Sequence, residues 1–221
     1  MAKSKSKKSV KSRSSTTSVD ASSIVEDELG NYRIKAGRLS GNFVARAFPR
    51  STSSGKGLIA EVSGASEAEA IAALKELLTE REVQRTAIRR WEQRSEISVP
   101  STEEFVEALQ QVKLSEAQLS MLKSLALAGE TGLTVVGLMN AAGYRSQSTA
   151  SKIFARAGAL FADFLGVELP ATGGQDKEGA ANVFSFREDV GRDAPPHWVM
   201  HNEMRDAVRA TLRTALPLEQ R

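Results

Sequence analysis

Cysteine is absent from the 221 residues, and histidine occurs only as His197 and His201. The first absence rules out disulfides and thiolate zinc sites and fits a reducing, cytoplasmic setting. The second leaves little for a hydrolytic site that uses His as base and metal ligand with further polar ligands around it. His197 and His201 have the i, i+4 spacing of a zinc-binding helix, but the Glu of an H-E-x-x-H pattern is missing. They also fall on an expected strand, where i and i+4 lie far apart. Both are read as ordinary surface histidines, with no metal. No run of apolar residues approaches the roughly 18 that span a bilayer, so no membrane partner is expected. The Lys/Ser-rich start has no apolar segment behind its charges and does not read as a secretory signal. Ser53-Ser54-Gly55-Lys56-Gly57 lacks the first Gly of a phosphate loop, and Gly57 stands where Ser or Thr is required. No cofactor and no enzymatic activity are expected. Hydrophobic residues make up 41% of the chain, enough for a core.

An excess of acid is missing too, but the net charge of +3 is unevenly spread. Lys3, Lys5, Lys7, Lys8, Lys11 and Arg13 lie in the first 19 positions with no acid among them. The other 24 basic side chains face 27 acidic ones. The basic character therefore belongs to the tail, and any nucleic-acid contact elsewhere must rest on local patches. Residues 1–22 read as a disordered tail with almost nothing to bury. It is either a solubilising tail or an arm that seeks phosphates.

The expected fold class is α+β: an N-terminal three-stranded sheet plus helix, then a mainly helical domain. Tyr32 and Ile34 alternate with Arg33 and Lys35. The segment 43–48, closed by Pro49, and the segment 58–62 supply the second and third strands. Ser66 and Glu69 have capping-box spacing, and Ile71, Leu74, Leu77 and Leu78 form the apolar stripe of the helix that follows. The charged stretch 79–96 reads as a helical extension, with a linker near 96–100 before Pro100. The domains are thus set at 28–96 and 101–216. In the second, helices are expected at 103–112, from Ser115 to Gly129, over 135–142 behind a Thr134 cap, and from Ser146 or Ser148 to about Leu165. A Gly-rich loop over 171–181, a hairpin over 183–200 and a last helix capped by Asn202 complete it.

The helix near 147–165 has two unlike faces. Ala150, Ile153, Phe154, Ala157, Leu160, Phe161 and Phe164 recur at three- and four-residue steps and belong in a core. The other face carries Ser148, Ser151, Lys152 and Arg156, with Arg145, Ser146 and Gln147 at its start. No acid occurs from 143 to 159. Gln and Arg can contact base edges in pairs of hydrogen bonds, and Ser can reach bases or phosphates. Two helices joined by Gly143-Tyr144-Arg145 and followed by a hairpin is the order of a winged helix-turn-helix. In the N-terminal half, Arg33, Lys35, Arg38, Arg46, Arg50 and Lys56 occur between 31 and 60 without an acid. Arg33 and Lys35 are expected on the face opposite Tyr32 and Ile34.

Leu133, Thr134, Ala142, Gly143, Tyr144, Arg145, Ser146, Leu165, Gly166, Trp198, Val199 and Met200 follow a recurring order. Over about 115–214 it resembles the winged helix-turn-helix-like module found beside HNH nuclease domains in bacterial restriction-type proteins. The chain departs from that module in the second helix, where Ser151-Lys152 and Phe154-Ala155-Arg156 stand in place of Asn and Tyr-Gly. The resemblance implies a DNA-associated role. The β-β-β-α order of the first half resembles, in architecture only, the arm-binding domains of phage-type integrases and double-stranded-RNA-binding domains.

These observations lead to the expectation of a non-enzymatic, bacterial or phage DNA-binding protein. Its partner would be double-stranded DNA, with RNA an alternative for the sheet domain. It would be a regulator or the DNA-recognition partner of a separate nuclease, and a homodimer is open. The competing expectation is a protein-interaction module with an incidental basic tail.

Overall fold

The computed structural model describes residues 24–50, 57–170, 177–189, 191 and 194–215. The first half is a meander of four antiparallel strands, not three. They are β1 (Val25–Leu29), β2 (Tyr32–Leu39), β3 (Asn42–Pro49) and β4 (Ala60–Gly64), in the spatial order β1-β2-β3-β4. The added edge strand pairs Val25 with Ala36 and Leu29 with Tyr32. Alternation along β2 and β3 turns Ile34, Ala36, Ala45 and Ala47 to one face. That face buries against Ala70, Leu74 and Leu78 of helix α1 (Glu67–Ile88). Ser66 Oγ accepts from the Glu69 amide at 3.2 Å, and a Glu69 carboxylate oxygen accepts from the Ala65 amide at 3.0 Å.

Helix α1 stops at Ile88, so the expected helical extension to residue 96 ends early. The expected linker is structured as well. Strands β5 (Arg90–Glu92) and β6 (Ile97–Val99) form a hairpin, and Ile97 and Val99 are fully buried in the second core. The segment expected to link the two halves thus packs with the helical core. A burial reason underlies this: the Ile97-Ser98-Val99 alternation supplies two apolar side chains that only this core covers.

Helices α2 (Thr102–Gln111) and α3 (Glu116–Ala128) both open with capping boxes, Ser101/Glu104 and Ser115/Gln118. Helix α4 (Val135–Ala141) is capped by Thr134, and α5 (Gln147–Leu165) by Ser146. Strands β7 (Ser185–Glu188) and β8 (His197–Met200) form the expected hairpin. Helix α6 (Asn202–Ala215) closes the described chain. Asn202 is the first residue of that helix rather than its cap, and its side-chain oxygen accepts from the Arg205 guanidinium. Between α3 and α4, Leu133 pairs with Trp198 of β8 through reciprocal backbone bonds of 2.9 and 2.8 Å.

Aromatic rings knit the second core. Phe154 meets Phe184 at 5.1 Å and Trp198 at 5.4 Å, edge to face, and Phe161 meets Phe184 and Phe105 in the same manner. Part of the expected Gly-rich loop lies outside the described residues. The remainder, Lys177–Val183, is a 3-10 helix instead. It lies against α5 at Gly158, where an added Cβ would press into the backbone of Ala180 and Ala181. No helix among the described residues is long and apolar enough to cross a membrane.

Candidate nucleic-acid interface

Helix α5 buries Ala150, Phe154, Ala157, Phe161 and Leu165 on one side. With that side fixed in the core, 3.6-residue periodicity turns Ser148, Thr149, Lys152 and Arg156 outward, and all four are exposed. Arg145, Ser146 and Gln147, just before the first turn, are exposed as well, whereas Ser151 is half-buried. Thr149 was not among the expected contact residues. Its place three before Lys152 on the same face is the signal that finds it. Ser146 Oγ accepts from the Thr149 amide at 3.4 Å, so this hydroxyl already serves as the helix cap.

Arg145, Lys152 and Arg156 form no ion pair or side-chain hydrogen bond among the described residues. Positions 131–162 hold no carboxylate at all. Among the described residues, the stripe therefore presents three cations without a carboxylate partner, with Gln147, Ser148 and Thr149 exposed between them. Acid returns only at Asp163, near the far end of the helix.

The sheet behaves differently. Arg33, Lys35 and Arg46 do turn away from α1, as the alternation requires, but β1 and β4 bring carboxylates beside two of them. Lys35 pairs with Glu26 at 2.7 Å and Arg46 with Glu61 at 2.5 Å. At the end of β3, Arg50 pairs with Glu28 at 3.1 Å. Lys35 holds the Glu26 carboxyl below the usual carboxylate range. The register sets Glu26, Lys35, Arg46 and Glu61 in one row across the open face. The face expected to be basic thus carries both signs, two central cations flanked by carboxylates on the outer strands. Arg38 lies over the Phe43 ring, 5.8 Å from its centroid. Arg33 has its Nε buried without a partner. Lys56 and the basic tail over residues 1–22 lie outside the described residues.

The surface reading of the two histidines holds only for His197, whose Nδ1 lies 2.8 Å from the Thr131 carbonyl. His201 is 1% exposed. Its Nε2 lies 3.0 Å from the Asn182 carbonyl, which calls for a proton on Nε2, and its Nδ1 lies 3.4 Å from an Arg90 nitrogen. Burial lowers the His201 pKa, and the charge of Arg90 adds to that. Arg90 is held in turn by Glu203 and Glu92, both at 2.8 Å. Burial pushes the Glu203 carboxyl up, but the Arg90 hydrogen bond and charge, with Glu203's own backbone amide and His201, together outweigh this and leave it low. Among the described residues, no three His, Asp or Glu side chains gather as a metal-ligand group.

The neutral His201 has a pH consequence. Its folded pKa is below its unfolded value, so the unfolded chain binds the extra proton first. The contribution is complete above the ordinary His value of about 6.5 and is lost as pH falls through the lowered folded value. Urea midpoints for the parent and His201→Gln at pH 7.5 and pH 5 measure it. The parent should lose more stability than the variant over this interval, and equal losses would refute the assignment.

The chain matches no protein-family model, no curated protein sequence and no solved structure.

Proposed function

We propose that the chain is a non-enzymatic DNA-binding protein whose duplex contact is the outer stripe of α5. The observation that carries this reading is the set of unpaired, exposed cations Arg145, Lys152 and Arg156 on an acid-free stretch. Support comes also from the chain order α3, Leu133, α4, α5, β7, β8. With Leu133 bridged to Trp198, this is the order of a winged helix-turn-helix, in which the hairpin serves as the wing. The helix start would carry Arg145, Gln147 and Ser148 toward base edges, while Lys152 and Arg156 neutralise phosphates. The sheet has a lesser part in this reading, because carboxylates already meet Lys35, Arg46 and Arg50. A regulator or the DNA-recognition partner of a separate nuclease fits such a molecule, in a cytoplasmic setting.

A second reading, a protein-docking module, draws on Val83, Ile88 and Trp91. These apolar side chains at the end of α1 and the start of β5 are each at least 60% exposed. Salt dependence separates the two. Phosphate neutralisation makes log affinity fall linearly with log salt, with a slope of about −0.9 per contact.

The test is fluorescence anisotropy of a labelled random duplex titrated across salt. It compares the full chain, residues 24–221, and an Arg145→Ala/Lys152→Ala/Arg156→Ala variant. The shortened chain should bind, and the triple variant should weaken by about tenfold or more with a slope shallower by about 2–3. Failure of the shortened chain to bind at low salt, or a triple variant with unchanged affinity and slope, would end the DNA reading.

A further inference from the structure

The chain passes from the sheet unit to the helical unit through one residue. Helix α1 ends at Ile88 and strand β5 begins at Arg90, which leaves Arg89 alone between them with extended backbone, φ −65° and ψ 138°. A one-residue connection is the natural place for a hinge, because a change at one ψ angle would swing the whole sheet. The side chain of that same residue is only 4% exposed.

Its guanidinium reaches into the helical unit at two places. Nε and Nη2 donate to the Glu104 carboxylate at 2.6–3.2 Å, and Nη2 also donates to the Leu165 carbonyl at the end of α5, at 2.7 Å. Glu104 is the N3 residue of the α2 capping box and accepts from the Ser101 amide at 2.9 Å. One side chain thus joins the end of α1, the start of α2 and the end of α5. On the sheet side, Glu82 of α1 lies 3.8 Å from the same guanidinium. Arg85 and Arg81, one and two turns earlier, add pairs to Glu107, three residues after Glu104.

Little else holds the seam. The two cores are separate clusters, and α1 contributes Ala70, Leu74 and Leu78 to the first and nothing to the second. Among the described residues, no element of the sheet unit makes an extensive contact with an element of the other. Where the β1–β2 turn approaches α5, a crevice of about 290 Å³ lies between Asn31, Tyr32, Phe164 and Gly166. The seam is therefore held by charge and hydrogen bonds, which are directional and depend on individual side chains.

We propose that Arg89 is a positioning residue: it locks the connection it occupies and so fixes the orientation of the sheet unit relative to the cationic stripe of α5. The next residue reinforces the lock from the other side, since Arg90 is tied to Glu203 of α6. The geometry of the lock stands independently of what α5 contacts. Only its value for duplex binding rests on the DNA reading, because a fixed sheet decides whether the tail and α5 meet one duplex together.

Pulsed electron spin resonance on the full chain tests this. The chain has no cysteine of its own, so Ser63→Cys and Lys123→Cys, both at exposed positions, place one spin label in each unit. The parent should give a narrow distance distribution. Arg89→Met alone strands a buried carboxylate and endangers the fold, so the main variant is Arg89→Met/Glu104→Gln. Gln keeps the capping-box acceptor, as Gln118 does in α3. This variant should broaden the distribution at least about twofold with its near-ultraviolet dichroism intact. A folded double variant as narrow as the parent overturns the proposal. Should the double variant lose its fold, Arg89→Lys decides. It keeps the charge but replaces the planar fork by a single nitrogen, which cannot reproduce the paired bonds from Nε and Nη2, so broadening supports the lock and an unchanged width refutes it. Duplex affinity, measured on the same samples, speaks to the DNA reading alone: a narrow parent that binds no duplex sinks that reading and leaves the lock standing.

Discussion

Phe154→Ala lowers the unfolding free energy by about 3–5 kcal/mol, the range for removing a fully enclosed aromatic ring. Phe154 is 2% exposed, and its ring touches the edges or faces of both Phe184 and Trp198. Those partners lie just before β7 and within β8, so the ring is also what seats the hairpin on α5. Edge-to-face pairs add about 0.5–1.5 kcal/mol beyond the area they bury. Urea unfolding followed by Trp198 and Trp91 emission measures the loss. Hydrogen exchange should further show the amides of β7 and β8 opening before those of α2. A loss under about 1.5 kcal/mol would mean that the site collapses around the cavity and that the hairpin has other anchors.

Gly158→Ala tests a conflict between two physical rules. In an exposed helix interior, Ala is favoured over Gly by about 1 kcal/mol. At Gly158 the new Cβ would collide with the carbonyl and carbon of Ala180 and the amide of Ala181, all backbone atoms. A backbone cannot swing aside as a long side chain can, so the 3-10 helix Lys177–Val183 must move off α5. Overpacking of this type costs about 1–3 kcal/mol; a clash with backbone lies at the upper end, so after the propensity gain the expected net result is destabilisation by about 2 kcal/mol. Thermal and urea unfolding of the variant give the sign at once. A stabilised Gly158→Ala chain would show that this 3-10 helix is not tightly seated.

Helix α5 was legible because local and global signals agree there: a serine cap, at Ser146 or Ser148 by sequence and at Ser146 in the structure, and apolar steps of three and four. The same holds for the capping box at Ser115; at Ser66 the hydroxyl caps the helix as its spacing suggests, but Glu69 reaches back to the Ala65 amide rather than to that of Ser66. Strand β1 was missed because Glu26, Asp27 and Glu28 make it look like more polar tail. Asp27 occupies the position where a half-buried strand usually puts an apolar residue, yet it is met there by Lys75 at 2.7 Å. The β5–β6 hairpin was missed because its turn lacks the Gly or Asn that signals a left-handed residue. Glu96 takes that conformation, at φ +51°. The sheet's charge was misjudged for a different reason. Residues 31–60 hold no acid, but strand pairing brings Glu26, Glu28 and Glu61 from just outside that window. A linear count cannot see cross-strand neighbours, which are set by register. For α5 the linear count was adequate, since a helix's surface neighbours are also its sequence neighbours.

The pairing of Leu133 with Trp198 carries a consequence for how the chain is made. Every contact in the β1–β4 meander joins neighbours in sequence, so this part can fold soon after it leaves the ribosome. The second core cannot. Trp198 and Met204 belong to it, and Leu133 has no strand partner until β8 is synthesised. At a translation rate of about 5–20 residues per second, Phe105 would wait several seconds for the residues that cover it. A nascent chain halted before β8 therefore exposes Phe105, Phe154 and Phe161 together. It is the stage at which this protein most needs a chaperone, and truncations in that interval should be recovered from cells as aggregates.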